Sequence, residues 1–130
     1  GRELVNSQNE ETGRVVHVPA VITYEAMLKT NLIPCSSVMI KKAIALEFPM
    51  ERDDLAEDYI CWLKVLKKYG KAFGIDEPCL KYRMRAESRS ADKLKAARRH
   101  YGSLRYSGFG RTKALALTAS YAVNGVKKLS

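Results

Sequence analysis

The sequence lacks the patterns that would indicate a zinc site, a disulfide framework or a cysteine nucleophile. Its three cysteines, Cys35, Cys61 and Cys79, are odd in number and widely spaced, without a Cys-x-x-Cys or Cys/His pattern. Such a set predicts free thiols in a reducing cytoplasm. The two histidines, His17 and His100, show no pattern that would partner a catalytic cysteine. Cysteine chemistry is therefore not expected.

Long apolar runs and phosphate-binding loops are also missing. No run approaches the roughly 20 apolar residues that a membrane span needs, and the best candidate, from Ala114 to Val123, is interrupted by Thr118 and Ser120. No signal peptide is visible. The sequence has no Gly-rich phosphate loop and no Asp-x-Asp, since the two aspartates at 53–54 are adjacent. These absences predict a cytoplasmic protein, with the inner face of the cell membrane as an alternative location.

Acidic residues are scarce in the second part of the chain. Residues 1–78 hold 10 Lys/Arg and 12 Asp/Glu, whereas residues 79–130 hold 13 Lys/Arg and 2 Asp/Glu. The net charge of +9 therefore originates entirely in the C-terminal part. This asymmetry points to an anionic partner, which could be nucleic acid, an anionic membrane surface or a diphosphate. No motif that reads DNA or RNA is present, so nucleic acid is not expected.

The most informative stretch present is Glu57-Asp58 at the start of an amphipathic pattern. Apolar residues recur at helical spacing and predict one buried stripe, which consists of Leu55, Tyr59, Trp62, Leu63 and Leu66. Asp53 and Asp54 are candidate caps. Asp58 then lies in or near the first helical turn, where unpaired N–H groups and the helix dipole favour a negative charge. A carboxylate fixed on a rigid element is what a general base needs, although solvated acidic first turns are common.

The remaining pattern predicts strands interleaved with helices, followed by helices alone. The predicted elements are an extended segment around Val15–Val21 broken at Pro19, a helix Tyr24–Lys29 capped by Thr23, a buried strand Ser36–Lys41, a helix Glu57–Tyr69 ended by Gly70, strands Lys71–Asp76 and Cys79–Met84, a helix capped by Ser90 with a break at Gly108-Phe109-Gly110, and a helix Arg111–Asn124 stopped by Gly125. This order predicts an α/β fold with a short mixed sheet and a helical C-terminal annex.

Four segments in order carry a resemblance to a known family. Residues 24–41 read YEAMLKTNLIPCSSVMIK, residues 57–63 read EDYICWL, residues 70–78 read GKAFGIDEP, and residues 80–83 read LKYR, with Ser88 and Ser90 behind them. In this order and spacing the chain resembles the C-terminal half of bacterial family 2 glycosyltransferases of the teichuronic-acid and capsule type. The resemblance implies the acceptor-side part of a GT-A glycosyltransferase fold at residues 1–89 and a basic helical extension at residues 90–130.

The resemblance also implies roles for individual residues. The aspartate of the family's Glu-Asp motif is the catalytic base, and this role corresponds to Asp58, with Glu57 as its neighbour. Asn31, Cys35 and Ser36 correspond to a loop near the transferred sugar, although Asn31 could equally well shape a turn. Trp62 could stack on a sugar, but its place on the apolar stripe favours core packing.

Positive charge near a strand end would face the diphosphate in such an enzyme. The corresponding residues here are Arg83 and Arg85, and some relatives would show a His where this chain has Arg85 or Ala86. The triplet Arg98-Arg99-His100 is instead interpreted as a solvated or lipid-facing helix surface.

The resemblance implies a half of an enzyme rather than a whole one. Family members open with a nucleotide-binding half that carries an Asp-x-Asp, so we expect this chain to be the acceptor-side piece, inactive alone. The expected reaction is inverting transfer of a sugar from a nucleotide-sugar donor to a hydroxyl of a polysaccharide or lipid-linked acceptor in the cell envelope. A divalent metal, Mg²⁺ or Mn²⁺, is expected for the full-length enzyme. The alternative is a non-catalytic basic module that binds nucleic acid or an anionic membrane surface.

Overall fold

The computed structural model describes residues 1–84 and 92–127 and has the expected α/β architecture. The described residues form five short strands, five α-helices and one 3₁₀ helix. Their bounds are β1 Arg2–Val5, β2 Glu11–Val16, β3 Val21–Thr23, α1 Tyr24–Lys29, the 3₁₀ helix Cys35–Ser37, α2 Lys42–Glu47, α3 Glu57–Tyr69, β4 Lys71–Phe73, β5 Lys81–Arg83, α4 Lys93–Tyr106 and α5 Arg111–Lys127.

The strands form two small sheets rather than one. In the first, β1 lies in the centre, antiparallel to β2 and parallel to β5, so this sheet is mixed as predicted. In the second, β3 pairs with β4 in antiparallel fashion, and Ile22 lies opposite Ala72. Strands β4 and β5 are predicted by the sequence, with shorter bounds in the structure. The single extended segment predicted around Val15–Val21 overlaps only the end of β2 and the start of β3, and β1 was not predicted.

Helices α1 and α3 begin and end largely as predicted. Thr23 caps α1, and its hydroxyl accepts a hydrogen bond of 3.3 Å from the N–H of Ala26. Helix α3 ends at Gly70, whose φ of 86° suits a residue without a side chain. The caps expected at α3 are wrong, because Ala56 occupies the N-cap position. Asp54 is held instead by the guanidinium of Arg52, at 2.6 and 2.7 Å.

The segment between α1 and α3 differs from the sequence prediction. No strand forms over Ser36–Lys41; the chain makes a 3₁₀ turn, in which the N–H of Ser37 donates to the carbonyl of Pro34 at 3.1 Å. Serine side chains favour such local hydrogen bonds over a ladder. Met39 is 99% exposed, whereas Val38 and Ile40 on either side of it pack against the core, so the apolar alternation marks a packed face without forming a strand. Helix α2 follows and was not predicted.

Helices α4 and α5 are present as predicted, with different ends. Asp92 caps α4 and accepts from the N–H of Lys95 at 3.0 Å, while the predicted cap Ser90 lies outside the described residues. Gly108, with φ 91°, turns the chain between the two helices. The predicted stop at Gly125 is wrong, because α5 continues to Lys127. A single glycine weakens a helix without ending it.

One core joins the N-terminal and C-terminal elements. Its buried residues come from β3, α1, α3, α4 and α5, and they are Ile22, Met27, Leu28, Tyr59, Cys61, Trp62, Leu63, Leu66, Leu104 and Ala114. Most of the predicted α3 stripe is therefore confirmed as buried. Leu94 and Leu115, which the sequence assigns to the apolar faces of α4 and α5, are exposed. Helix α4 buries residues of its second half instead, namely His100, Ser103 and Leu104. Among the described helices, none is long and apolar enough to cross a membrane.

Candidate functional site

A cleft of about 630 Å³ opens beside the start of α3. Its walls come from β1, the segment after α1, the first turn of α3 and the two C-terminal helices. Five of the residues singled out in the sequence line it together, namely Asn31, Cys35, Ser36, Glu57 and Asp58. These residues lie up to 27 positions apart, and the structure brings them to one surface.

Asp58 is the partly buried carboxylate of this cleft. Its Oδ1 accepts a hydrogen bond of 2.8 Å from the N–H of Tyr59, and its side chain is also hydrogen-bonded to Asn31. Burial raises the pKa of Asp58, and the neighbouring charge of Glu57 acts in the same direction, whereas the two hydrogen bonds act against it. A carboxylate with a raised pKa is a stronger proton acceptor than an exposed aspartate.

The loop residues contribute polar groups beside this carboxylate. Asn31 also shapes the loop, because its Oδ1 accepts from the N–H of Ile33 at 3.1 Å, while its contact with a sugar stays a prediction. The pKa of the Cys35 thiol is raised by burial and by the negative charges of Asp58 and Glu57. Cys35 is consequently a neutral thiol at neutral pH, suited to weak hydrogen bonding rather than to nucleophilic attack.

Among the described residues, Trp62 and Arg83 do not line the cleft. Trp62 is only 5% exposed and belongs to the core, as its place on the apolar stripe favours. Arg83 lies on the exposed strand β5, where its Nε donates to Asn9 Oδ1 at 2.6 Å. Arg85 lies outside the described residues.

The wall opposite the loop is one that sequence reasoning missed. It contains Arg99, His100 and Tyr121, and the imidazole of His100 stacks on the Tyr121 ring at 4.0 Å and 11°. The interpretation of Arg98-Arg99-His100 as a solvated surface is wrong for His100, which is 3% exposed. Burial lowers the pKa of His100 to about 4, so the imidazole is neutral at neutral pH. Three consecutive polar residues give no signal of which one faces the core.

Ser103 links this wall to the start of α3. Its hydroxyl accepts a hydrogen bond of 3.1 Å from the N–H of Ala56 and donates one of 2.8 Å to the carbonyl of Arg99. Ala56 is the N-cap residue, one position before Glu57-Asp58. The side chain of a buried serine on α4 thereby satisfies a backbone donor at the end that carries the carboxylates.

Positive charge also lines the cleft, from Arg2, Lys93 and Arg99. The guanidinium of Arg2 lies over the Tyr82 ring at 5.5 Å, and burial lowers the pKa of Arg2. Carboxylates, cations, polar loop groups and aromatic rings therefore surround one cavity. This mixture suits a ligand that carries both hydroxyls and an anionic group.

No family model and no solved structure matches the chain. TuaG of Bacillus subtilis, assigned as a teichuronic acid biosynthesis glycosyltransferase, is 31% identical over 129 residues, which is 98% of this chain and 51% of TuaG.

Two proteins of Escherichia coli are similar to a comparable extent. WfaP is 34% identical over 110 residues (85% of this chain, 43% of WfaP), and WfgD is 30% identical over 129 residues (97% and 49%). Both are named UDP-Glc:alpha-D-GlcNAc-diphosphoundecaprenol beta-1,3-glucosyltransferases. The chain spans about half the length of the curated relatives it matches. These similarities confirm the resemblance found in the sequence: the chain matches the C-terminal half of bacterial glycosyltransferases of cell-envelope biosynthesis.

Proposed function

We propose that this chain is the base-bearing, acceptor-side half of an inverting glycosyltransferase. The whole enzyme would transfer a sugar from a nucleotide-sugar donor to a hydroxyl of a polysaccharide or lipid-linked acceptor. We place this reaction at the cytoplasmic side of the cell envelope. The similarity to TuaG, WfaP and WfgD supports the general class. No finding supports the alternative of a binding module without catalysis.

One observation carries the proposal, which is the environment of Asp58 in the cleft. Inverting transfer needs a base beside the acceptor hydroxyl, fixed in position and able to hold a proton. Asp58 lies in the first turn of α3, is hydrogen-bonded to Tyr59 and Asn31, and has a pKa that burial raises. Among the described residues, Asp58 and its neighbour Glu57 are the two carboxylates that line this cleft.

In the proposed step the acceptor hydroxyl oxygen attacks the anomeric carbon of the donor sugar. Asp58 takes the hydroxyl proton, the new glycosidic C–O bond forms, and the bond between the anomeric carbon and the diphosphate oxygen breaks. The electron pair of that bond leaves with the nucleoside diphosphate. Attack opposite the leaving group inverts the anomeric configuration. Glu57 keeps the site negative and, by repulsion, favours proton uptake by Asp58.

Positive charge is needed where the diphosphate leaves. Arg2 and Arg99 line the cleft and are the candidates that this half offers, while the role expected for Arg83 and Arg85 stays a prediction. The metal expected for the full-length enzyme is likewise a proposal. In the described residues no group of three His, Cys, Asp or Glu side chains could hold a metal. The resemblance to the family assigns its ligands to the nucleotide-binding half.

Replacement of the base tests the proposal in the full-length transferase that contains this chain. The first probe pair is UDP-glucose with GlcNAc-diphosphoundecaprenol, the pair in the names of WfaP and WfgD. Asp58→Asn should lower kcat by about 10²- to 10⁴-fold, as loss of a positioned base does. Glu57→Gln, which replaces the neighbouring carboxylate with an amide, is the matched control and should lower kcat less.

The fold of the Asp58→Asn variant must be checked separately. Because burial raises the pKa of Asp58, its charge opposes folding at neutral pH, and this penalty is absent below the pKa of the unfolded chain. The neutral amide should therefore keep or raise the thermal unfolding temperature at pH 7. Turnover of Asp58→Asn near the wild-type rate would remove Asp58 from the mechanism.

A further inference from the structure

Three buried polar atoms of residues that line the cleft have no hydrogen-bond partner among the described residues: Nε of Arg2, the hydroxyl of Tyr59 and Nε2 of His100. Two of them, those of Tyr59 and His100, belong to neighbouring uncharged side chains. Tyr59 is 1% exposed and His100 3% exposed, and the two rings lie 4.7 Å apart. Both residues line the cleft that contains Asp58. Trp62 Nε1 is also unpartnered, but Trp62 does not line the cleft.

Such groups need an explanation, because a buried donor or acceptor without a partner opposes folding. Sequence-distant residues on α3 and α4 supply these two groups to one cavity wall. A ligand that enters the cleft would restore the missing hydrogen bonds. Ligand sites typically place a small number of polar groups on an otherwise apolar wall, where they fix the orientation of the ligand.

The chemistry of this wall fits an uncharged hydroxyl or amide. A neutral imidazole offers one donor and one acceptor, and a phenol offers the same. Burial keeps His100 neutral at neutral pH, so it supplies no charge to attract a phosphate. The stacked rings of His100 and Tyr121 add an aromatic surface beside these groups. Aromatic faces with a few fixed polar groups are suited to a sugar ring.

We propose that Tyr59 and His100 form a subsite that hydrogen-bonds the acceptor sugar. This inference rests on the proposed function, because it uses Asp58 as the base. Tyr59 directly follows Asp58 in the chain, and both line the cleft. A sugar that presents one hydroxyl to Asp58 brings its other polar substituents towards Tyr59 and His100. The subsite would thus orient the ring and select the acceptor.

Binding of a defined probe to the 130-residue chain tests this subsite without turnover. The probe is α-D-GlcNAc diphosphate on a short alkyl chain, titrated by calorimetry or NMR. Tyr59→Phe removes only the hydroxyl and should weaken binding by ~2- to 12-fold, the value of one hydrogen bond. The unfolding temperature should stay equal or rise, since no partner is lost. Tyr101→Phe is the matched control, because Tyr101 is partly buried but does not line the cleft.

Two variants of His100 separate a ligand contact from a packing role. His100→Phe keeps a ring for stacking but has no polar atom, so it should weaken probe binding as Tyr59→Phe does. His100→Gln retains a donor and an acceptor and should restore part of the affinity. If the probe affinities of the two variants change only in proportion to their unfolding temperatures, His100 has a structural role and the proposal is overturned.

Control ligands identify which part of the probe the subsite contacts. The same alkyl diphosphate without the sugar should bind the wild type and Tyr59→Phe equally. If Tyr59→Phe weakens binding of the sugar-containing probe and of the sugar-free diphosphate equally, the sugar subsite is overturned. It is also overturned if the wild-type chain does not bind the probe. In the full-length enzyme, Tyr59→Phe should raise KM for the acceptor but not for the donor; a rise for the donor alone would overturn the acceptor assignment. The Asp58 variants decide the proposed function independently.

Discussion

At the residue scale, the site depends on how Asp58 is held. Burial and Glu57 raise its pKa, while the backbone of Tyr59 and the side chain of Asn31 lower it. Asn31 does two things at once, since its Oδ1 also fixes the N–H of Ile33. A substitution at Asn31 therefore tests the effect of this residue on the pKa of Asp58 only if the hydrogen bond to the N–H of Ile33 is kept.

Asn31→Asp provides such a change. It keeps an oxygen for the N–H of Ile33 but replaces the amide with a second carboxylate beside Asp58, which raises the pKa of Asp58 further. Because the base works deprotonated, the acidic limb of the kcat/KM profile should move to higher pH. Asn124→Asp is the control, because Asn124 lies on α5 outside the cleft and should leave the profile in place. Unchanged profiles for both variants would contradict the role of Asn31.

At the element scale, the geometry of the cleft depends on the contact between α4 and the start of α3. Helix α3 has no side-chain cap of its own, and the N–H of its N-cap residue Ala56 bonds to Ser103 of α4. The carboxylates of Glu57 and Asp58 follow directly. The position of the proposed base is thus determined by a residue 45 positions away in the chain.

Ser103→Ala should lower the free energy of unfolding by about 1–3 kcal/mol, because it leaves the partly buried N–H of Ala56 without its acceptor. Urea titration measures the change. Ser107→Ala, four residues further along α4, is the control. Ser107 is exposed and its hydroxyl donates to the carbonyl of Ser103 at 2.8 Å, so its removal should cost at most about 0.5 kcal/mol. Equal losses for the two serines would show that the Ala56 contact contributes nothing.

At the scale of the whole molecule, positive charge is unevenly distributed along the chain. Residues 79–130 hold 13 basic and 2 acidic residues, and their helices also share the core with α1 and α3. Part of this basic surface faces the cleft through Lys93 and Arg99. The exposed remainder, such as Arg98 and Arg111, is available for an anionic surface or for the other half of the enzyme.

Docking of this surface on anionic lipid is a prediction that vesicle co-sedimentation can test. Arg98→Glu combined with Arg111→Glu should reduce binding to anionic vesicles, because each basic residue near the surface contributes about 1 kcal/mol. Binding should also fall with salt, since the Debye length is about 10 Å at 0.1 M. Lys41→Glu with Lys42→Glu is the control, with the same charge change on the N-terminal part. Equal binding to neutral and anionic vesicles would contradict membrane docking.

Several features were determined by the sequence alone, because their causes are local. The apolar period of α3, the Thr23 cap of α1, and the glycines at the end of α3 and between α4 and α5 each act within a few residues of themselves. The Glu57-Asp58 pair and its place in a first helical turn were predictable for the same reason. The similarity to glycosyltransferases was also readable from ordered motifs.

Only the tertiary structure decided which side chains meet. The pairing of β1 with β5 joins segments nearly 80 residues apart, and periodicity carries no information on such partners. The segment Ser36–Lys41 shows the same limit, since its alternation predicts a strand but the segment pairs with no described strand, although Val38 and Ile40 pack against the core. His100, Ser103 and Tyr121 became part of the site because α4 and α5 pack on the core. Burial, and with it the state of His100 and Asp58, is a property of that packing rather than of any local pattern.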